Sequence, residues 1–272
     1  MNGPRFDPRL TLGVLYLAVV AGIIAMVLSH APRGYALGNA SAAALATALA
    51  VLPVPHLRAK PRAIAVGALA LALVLTALAG QPLDGVRRWV AAGPVRLHVG
   101  MLLGPALAVL LADAPPRLRG AGLLGAFGAA LAAPDLAMAL GWMGFVLARV
   151  GGEDRRSVGI VIVLAVTMVA ITALRDDPLA PVAHVEGVVA ASLHRSVAGG
   201  LALLAAQIAP LALIAWRDKP TRALAGFWAG LVLASLTGAW PSPLIGFGAA
   251  PILGFGLSIA VWRGLRLARL AA

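Results

Sequence analysis

From Leu10 to Ser29 no charged residue interrupts an almost wholly apolar run. At about 1.5 Å per helical residue, such a run matches the roughly 30 Å hydrocarbon core of a bilayer. Comparable runs recur along the whole chain. With a window of about 19 residues they fall at residues 10–29, 36–54, 63–80, 97–112, 119–133, 136–150, 157–174, 196–216, 222–240 and 243–264. Hydrophobic residues make up 61% of the sequence and mean hydropathy is +0.94, against about 45–50% apolar residues in a soluble domain. A soluble domain of this length could not bury that surface. The sequence predicts an all-α polytopic integral membrane protein of about ten transmembrane helices, with residues 1–272 forming a single membrane domain without linker or low-complexity tail. Leu10–Ser29 exceeds the roughly 7–15 residue apolar core of a signal peptide and is expected to stay as the first span.

The formal net charge of +12 does not point to nucleic acid, because Arg-rich loops between apolar helices set membrane orientation. With ten spans and the N-terminus inside, the inner loops hold Arg5, Arg9, Arg58, Lys60, Arg62, Arg117, Arg119, Arg149, Arg155, Arg156, Arg217, Lys219, Arg222, Arg263, Arg266 and Arg269. The outer side keeps Arg33, Arg87, Arg88, Arg96, Arg175 and Arg195, so the partition of the 22 Lys and Arg residues favours the inside. Merging the short fifth and sixth runs across Pro134-Asp135 would reverse every later loop and spoil this bias. Both termini are therefore expected in the cytoplasm. Gly122, Gly125 and Gly128 form a small-residue face that would let helices approach closely, or reflect base composition alone. Trp216 and Trp262 each precede an Arg at the end of a run and read as interfacial anchors. The chain has no cysteine, which removes disulfides, thiolate metal sites and Cys nucleophiles.

Two outer segments are polar enough to carry chemistry. Residues 81–98 form an amphipathic segment containing Asp84, Arg87, Arg88, Trp89, Arg96 and His98. Residues 175–196 form a second, expected functional loop with Asp176, Asp177, His184, Glu186, His194 and Arg195. The whole sequence has ten acidic residues, so acids concentrated beside a bilayer are functional candidates. Asp176-Asp177 before Pro178 has the composition of a turn, and Arg195 marks the start of the eighth span. The inner loops are short and basic and carry neither a phosphate-binding Gly-rich loop nor metal-ligand spacing.

Gly85-Val-Arg87-Arg88-Trp89-Val-Ala-Ala-Gly93-Pro94 resembles the G-x-x-R-W-x-x-x-G-P segment of the SEDS family (FtsW/RodA/SpoVE), which follows the third span there as here. Three more matches fall in the same order. Ala133-Pro134-Asp135-Leu136 is similar to Q-P-D-L-G-T-A between spans five and six. His184-Val185-Glu186 is similar to H-T-D-F-I-F-A before span eight. Thr237-Gly238 with Pro243-Leu244-Ile245-Gly246-Phe247-Gly248 is similar to T-G-x-x-P-L-P-F-x-S-Y-G-G entering span ten. The resemblance covers most of the chain, which is short for the family. It departs at the start of span four, where the family's Q-P-S-E-F-A-K stands as Leu97-His98-Val99-Gly100-Met101-Leu102-Leu103, without the Glu and Lys. It departs again where S-Y-G-G-S stands as Gly246-Phe247-Gly248-Ala249-Ala250.

The resemblance implies a multi-pass protein of the bacterial inner membrane that polymerises lipid II, an undecaprenyl-pyrophosphate-linked disaccharide, at the outer face in cell shape or division. A single-span penicillin-binding transpeptidase is the implied partner. No cofactor is certain, and a divalent metal ion is left open. Glu186 becomes the candidate general base, or else a solvated loop acid. Asp135 is a second catalytic acid or a helix cap. Arg87 and Arg88, and less strongly Arg96, could grip the pyrophosphate, or contact headgroups with Trp89 as anchor. His184 and His98 are supporting candidates. Two rival readings stay open: a non-catalytic SEDS-like subunit binding a partner helix or polyprenyl lipid, and a lipid flippase or transporter.

Overall fold

The computed structural model describes residues 8–93, 95–149, 155–215 and 218–271. The elements follow one another as α1 (Pro8–Leu28), α2 (Arg33–Val51), α3 (Ala59–Ala79), strands β1 (Gln81–Leu83), β2 (Val86–Ala92) and β3 (Val95–His98), then α4 (Val99–Ala112), α5 (Pro116–Ala132), α6 (Leu136–Leu147), α7 (Arg155–Ala173), the short α8 (Val188–Arg195), α9 (Val197–Ala215), α10 (Lys219–Ser235) and α11 (Ala249–Leu270). Every apolar run read from the sequence overlaps a helix, from the 12 residues of α6 to the 22 of α11. By length and composition, α1 from Leu10, α2, α3 and α9 are able to cross a membrane, whereas α4, α6 and residues 159–173 of α7 are shorter apolar helices. The chain is a multi-pass membrane protein.

The departure from a purely helical body is the 81–98 segment, a three-stranded antiparallel sheet in the order β1-β2-β3. Its cause is local. Leu83 pairs with Val86 across the two-residue loop Asp84-Gly85, and both loop residues have positive φ, 46° and 86°. That is the backbone demand of a tight hairpin turn, which Asp-Gly meets at low strain. Gly93, at φ 62°, allows the second reversal, and β2 and β3 pair from Trp89↔His98 to Ala92↔Val95.

Polar caps set where α4, α6 and α10 begin. His98 Nδ1 accepts from the Met101 N–H at the start of α4, and Asp135 accepts from the Met138 N–H at the start of α6. Asp218 and Thr221 form a reciprocal capping box at α10, the arrangement that satisfies two otherwise orphaned donors.

Close packing centres on α6 against α10. A methyl group on Gly144 would collide with the Gly226 backbone, one on Gly226 with Gly144, and one on Gly230 with the backbone of Leu140 and Gly141. Gly226 and Gly230 thus form the small-xxx-small face that lets membrane helices touch backbone to backbone. Around this seam Trp142, Phe145, Phe227 and Trp228 meet edge-on, with Trp142 and Phe227 centroids 4.9 Å apart, and Phe255 packs tilted against Trp228. The face expected at Gly122, Gly125 and Gly128 packs only in part: Gly122 lies under Leu111 and Gly125 against Ala70, while Gly128 meets nothing. Trp262 corrects its expected interfacial role. It is buried, and its indole N–H donates to Asp218 at 2.9 Å. Trp216 lies outside the described residues.

The helices leave two unlike ends. One gathers the basic connections, where the Arg62 guanidinium donates to the Leu110 carbonyl, Arg263 to the carbonyls of Ala50 and Leu52, and Arg269 pairs with Asp113. The other carries the sheet, the α5–α6 turn, the 174–187 loop with α8, and the 236–248 segment. All four motif-bearing stretches meet at this sheet end.

Candidate functional site at the sheet end

Arg88 organises the sheet end. β2 sends it into the protein, where its side chain is 4% exposed. Its Nε donates to the Ala133 carbonyl at 2.9 Å, one terminal nitrogen to the Pro134 carbonyl, and the other to Asp177 Oδ2 at 2.8 Å. The guanidinium lies over the Trp240 ring, 4.9 Å from its centroid, and 5.9 Å from that of Trp89. A planar fork of five donors suits such a junction better than an ammonium does. One side chain thereby ties the sheet to the α5–α6 turn and to the 174–187 loop. Asp177 forms the expected turn, its Oδ1 accepting from the Leu179 N–H, while its other oxygen faces Arg88. Arg175 adds a second strap by donating to the Leu131 carbonyl.

Asp135 fills both halves of its expected description as a cap and a buried acid. Oδ1 accepts from the Met138 N–H at 3.1 Å, and Oδ2 faces His98 Nε2 at 3.1 Å. His98 Nδ1 must be unprotonated to accept from the Met101 N–H at 3.2 Å. The network therefore assigns the ring proton to Nε2, which donates to Asp135. Burial alone would push the Asp135 carboxyl up. The hydrogen bond from His98, the charge of Arg88 and the Met138 N–H together outweigh it and hold the carboxyl below its ordinary value. Trp89 covers His98 edge-on, ring centroids 5.5 Å apart.

Glu186 sits apart from this pair, half-buried on the 174–187 loop. Its Oε2 accepts from the Val182 N–H at 2.6 Å. Burial raises its carboxyl above the ordinary Glu value, an effect that the backbone N–H groups oppose and Asp177 reinforces. The backbone around it is fixed on both sides: Ser242 N–H donates to the Val185 carbonyl at 2.8 Å, Phe247 N–H to the His184 carbonyl at 2.7 Å, and Glu186 bridges to Pro241. His184 has φ 67°, its Nδ1 lies 3.2 Å from Ser29 Oγ, and its ring meets Tyr35 edge-on.

Arg87 and Arg96 are exposed on the sheet, with Arg87 Nε donating to the Gly80 carbonyl. The structure thus separates the three arginines. Arg87 and Arg96 are open to a ligand, and Arg88 has its donors engaged inside the protein. Between Arg88, His98, Asp135, Thr76 and Trp142 lies a cavity of about 30 Å³, room for a water molecule or two and none for a sugar. Among the described residues no three His, Asp or Glu side chains gather closely enough to share a metal ion. The two oxygens of Asp135 are already occupied by His98 and Met138, so the residues present do not fit the divalent ion that the resemblance left open. The sequence reading missed Asn39, Trp240 and the Arg88 to Asp177 pair. Only the scarcity of buried Asn in an apolar helix could have signalled the first.

The fold and this end define a class: a polytopic membrane protein with its polar chemistry gathered at one face. The chain is similar to the rod shape determining protein RodA of Thermus thermophilus, with TM-score 0.62 and 19% identity, covering 97% of this chain and 98% of that one. A single-residue variant of the same RodA superposes with TM-score 0.63 at 22% identity over 92% of this chain and 96% of that one. A chain of a peptidoglycan synthase complex that coordinates polymerisation and crosslinking gives TM-score 0.63 at 21% identity, over 92% of this chain and 97% of that one. No family model and no curated protein matches the sequence.

Proposed function

We propose that this chain is a divergent SEDS-family protein of the bacterial inner membrane that acts in peptidoglycan synthesis as a lipid II glycosyltransferase. The observation that carries the reading is the RodA-like fold over nearly the whole of both chains, with the four motif-like segments meeting at one end. In the reaction, Glu186 takes the proton from the attacking sugar hydroxyl. That oxygen bonds to the anomeric carbon as the bond from that carbon to the pyrophosphate breaks, and the departing electron pair stays on the pyrophosphate. A carboxyl raised by burial is a stronger base than a solvated one. Arg87 and Arg96 supply the exposed positive charge for the leaving group. Arg88, Asp135 and His98 hold the sheet that presents those arginines, and Trp89 packs on that support. His184 anchors the loop that carries Glu186. The sheet end faces the outside, as the charge partition argues, and a single-span penicillin-binding transpeptidase is the matching partner.

The test is glycan formation from labelled lipid II by the purified protein with such a partner, comparing wild type with Glu186→Gln. A second reading, a non-catalytic SEDS-like subunit, is favoured by one observation: no acidic or basic side chain occupies the first turns of α4, where Val99, Gly100 and Met101 are buried. Under that reading Glu186→Gln leaves cellular function unchanged.

A further inference from the structure

Asn39 lies within α2, fully buried in a stretch of small and apolar residues. An amide in such a place is unfavourable unless both of its ends are hydrogen-bonded. Here both are: Nδ2 donates to the Gly246 carbonyl at 2.9 Å, and Oδ1 accepts from the Gly248 N–H at 3.1 Å. One side chain therefore clamps the backbone on either side of Phe247, just before α11.

The clamped segment is the wall against which the Glu186 loop is built. Phe247 N–H donates to the His184 carbonyl and Ser242 N–H to the Val185 carbonyl. A methyl group on Gly246 would lie 2.7 Å from the Val185 carbonyl oxygen, so the two backbones touch. Phe247 is stacked on Tyr35, centroids 3.8 Å apart, and Tyr35 in turn meets His184 edge-on. Asn39 is thus one hydrogen bond from residues 246–248, which are one hydrogen bond from the residues preceding Glu186.

We propose that Asn39 is a positioning residue for Glu186: its amide fixes the 246–248 segment, and through it the place of the carboxylate at the sheet end. This rests on Glu186 being the general base. A base displaced by about 1 Å loses on the order of 100-fold in rate, while substrate grip by Arg87 and Arg96 is untouched. The role requires one donor and one acceptor together, which separates it from simple space filling.

The experiment compares wild type, Asn39→Leu and Asn39→Asp in lipid nanodiscs with labelled lipid II, and follows backbone amide exchange in the same samples. Leu keeps the branched outline, at a somewhat larger volume, without the hydrogen bonds. It is expected to lower kcat by about 10- to 100-fold with KM within about twofold, and to speed exchange of the Ser242 and Phe247 amides by about tenfold or more. Asp donates to the Gly246 carbonyl only when protonated, so Asn39→Asp regains activity and protection as pH falls, relative to wild type at each pH. The titratable and charged groups of the wild type around this place are Arg33 and Tyr35 on α2, His30 in the turn before α2, and His184 and Glu186 on the loop, while α11 brings no charge before Arg263. The wild-type profile records those groups. Asn39→Leu with wild-type kcat and wild-type exchange overturns the proposal, as does an Asn39→Asp profile parallel to wild type. If wild type makes no glycan, the polymerase reading fails by itself, and the exchange data alone decide whether Asn39 holds the loop. If Asn39→Leu does not fold, the Asn39→Asp profile decides.

Discussion

Replacing Arg88 with Met keeps most of the side-chain length and removes every donor. In the native protein those donors meet two carbonyls, Ala133 and Pro134, and the Asp177 carboxylate. Leaving a buried carbonyl without its donor costs about 1–3 kcal/mol. Breaking a fully buried ion pair from one side costs about 3–5 kcal/mol, but the Asp177 side chain is 21% exposed and recovers part of that by meeting water. Met also loses the cation–π contact with Trp240, about 0.5–2 kcal/mol. Because these terms share one side chain they do not add. Arg88→Met is expected to lose about 3–5 kcal/mol, and Arg88→Lys, a point charge able to keep one of the three contacts, about half as much. The assay is reversible unfolding in bicelles. In variants that remain folded, any loss of lipid II binding should track the loss of stability, because Arg88 acts on Arg87 and Arg96 only through the sheet it holds. Unchanged stability of Arg88→Met, within about 0.5 kcal/mol, together with weakened lipid II binding, would refute the structural assignment and return Arg88 to the substrate.

Three further outcomes follow from the same geometry. Gly144→Ala or Gly230→Ala should destabilise by about 1–3 kcal/mol or more, because the new methyl meets backbone that cannot move aside. Gly128→Ala, which meets nothing, should be neutral or stabilise by up to about 1 kcal/mol, and unfolding measurements on the set rank them. Asp135 has a lowered carboxyl, so the stability it contributes is full above the ordinary Asp value and is lost as pH falls through its folded value. Asp135→Asn should flatten the acid limb of a pH–stability curve. Glu186 has a raised carboxyl and the opposite sign, its contribution being full below the ordinary Glu value and lost as pH rises through its folded value. Glycan formation should therefore rise with pH along a limb above the ordinary Glu range, and Glu186→Gln should remove both the activity and that stability slope.

Much of the helical body was legible because lipid imposes a simple rule on sequence: apolar runs of membrane length, broken by charge. The caps at His98, Asp135 and Asp218 sit where those runs begin. The sheet was harder to see. Asp84-Gly85 is a strong hairpin signal, but beside Arg and Trp in a membrane chain the same residues read as an interfacial segment. The tightest helix contact was missed for a related reason. Glycine is abundant throughout the sequence, and nothing local distinguishes Gly144, Gly226 and Gly230, which meet a facing backbone, from Gly128, which meets none. At the site, Asp135, Glu186 and the arginines stood out by charge in an acid-poor chain. Their division of labour did not, because whether Arg88 points into the protein and Arg96 outward depends on a sheet register that residue types alone do not fix. Asn39 carried no signal beyond being a lone Asn in an apolar helix, since its partners are backbone atoms more than two hundred residues away in sequence.

The central claim is that this fold, with Glu186 as base, polymerises lipid II. The direct measurement is glycan chain length from labelled lipid II with purified protein and a transpeptidase partner, wild type beside Glu186→Gln, each with verified folding. The account expects polymer from wild type and none from Glu186→Gln. No polymer from either, or equal polymer from both, contradicts it: the first removes the activity and favours the non-catalytic subunit, and the second removes Glu186 from the reaction.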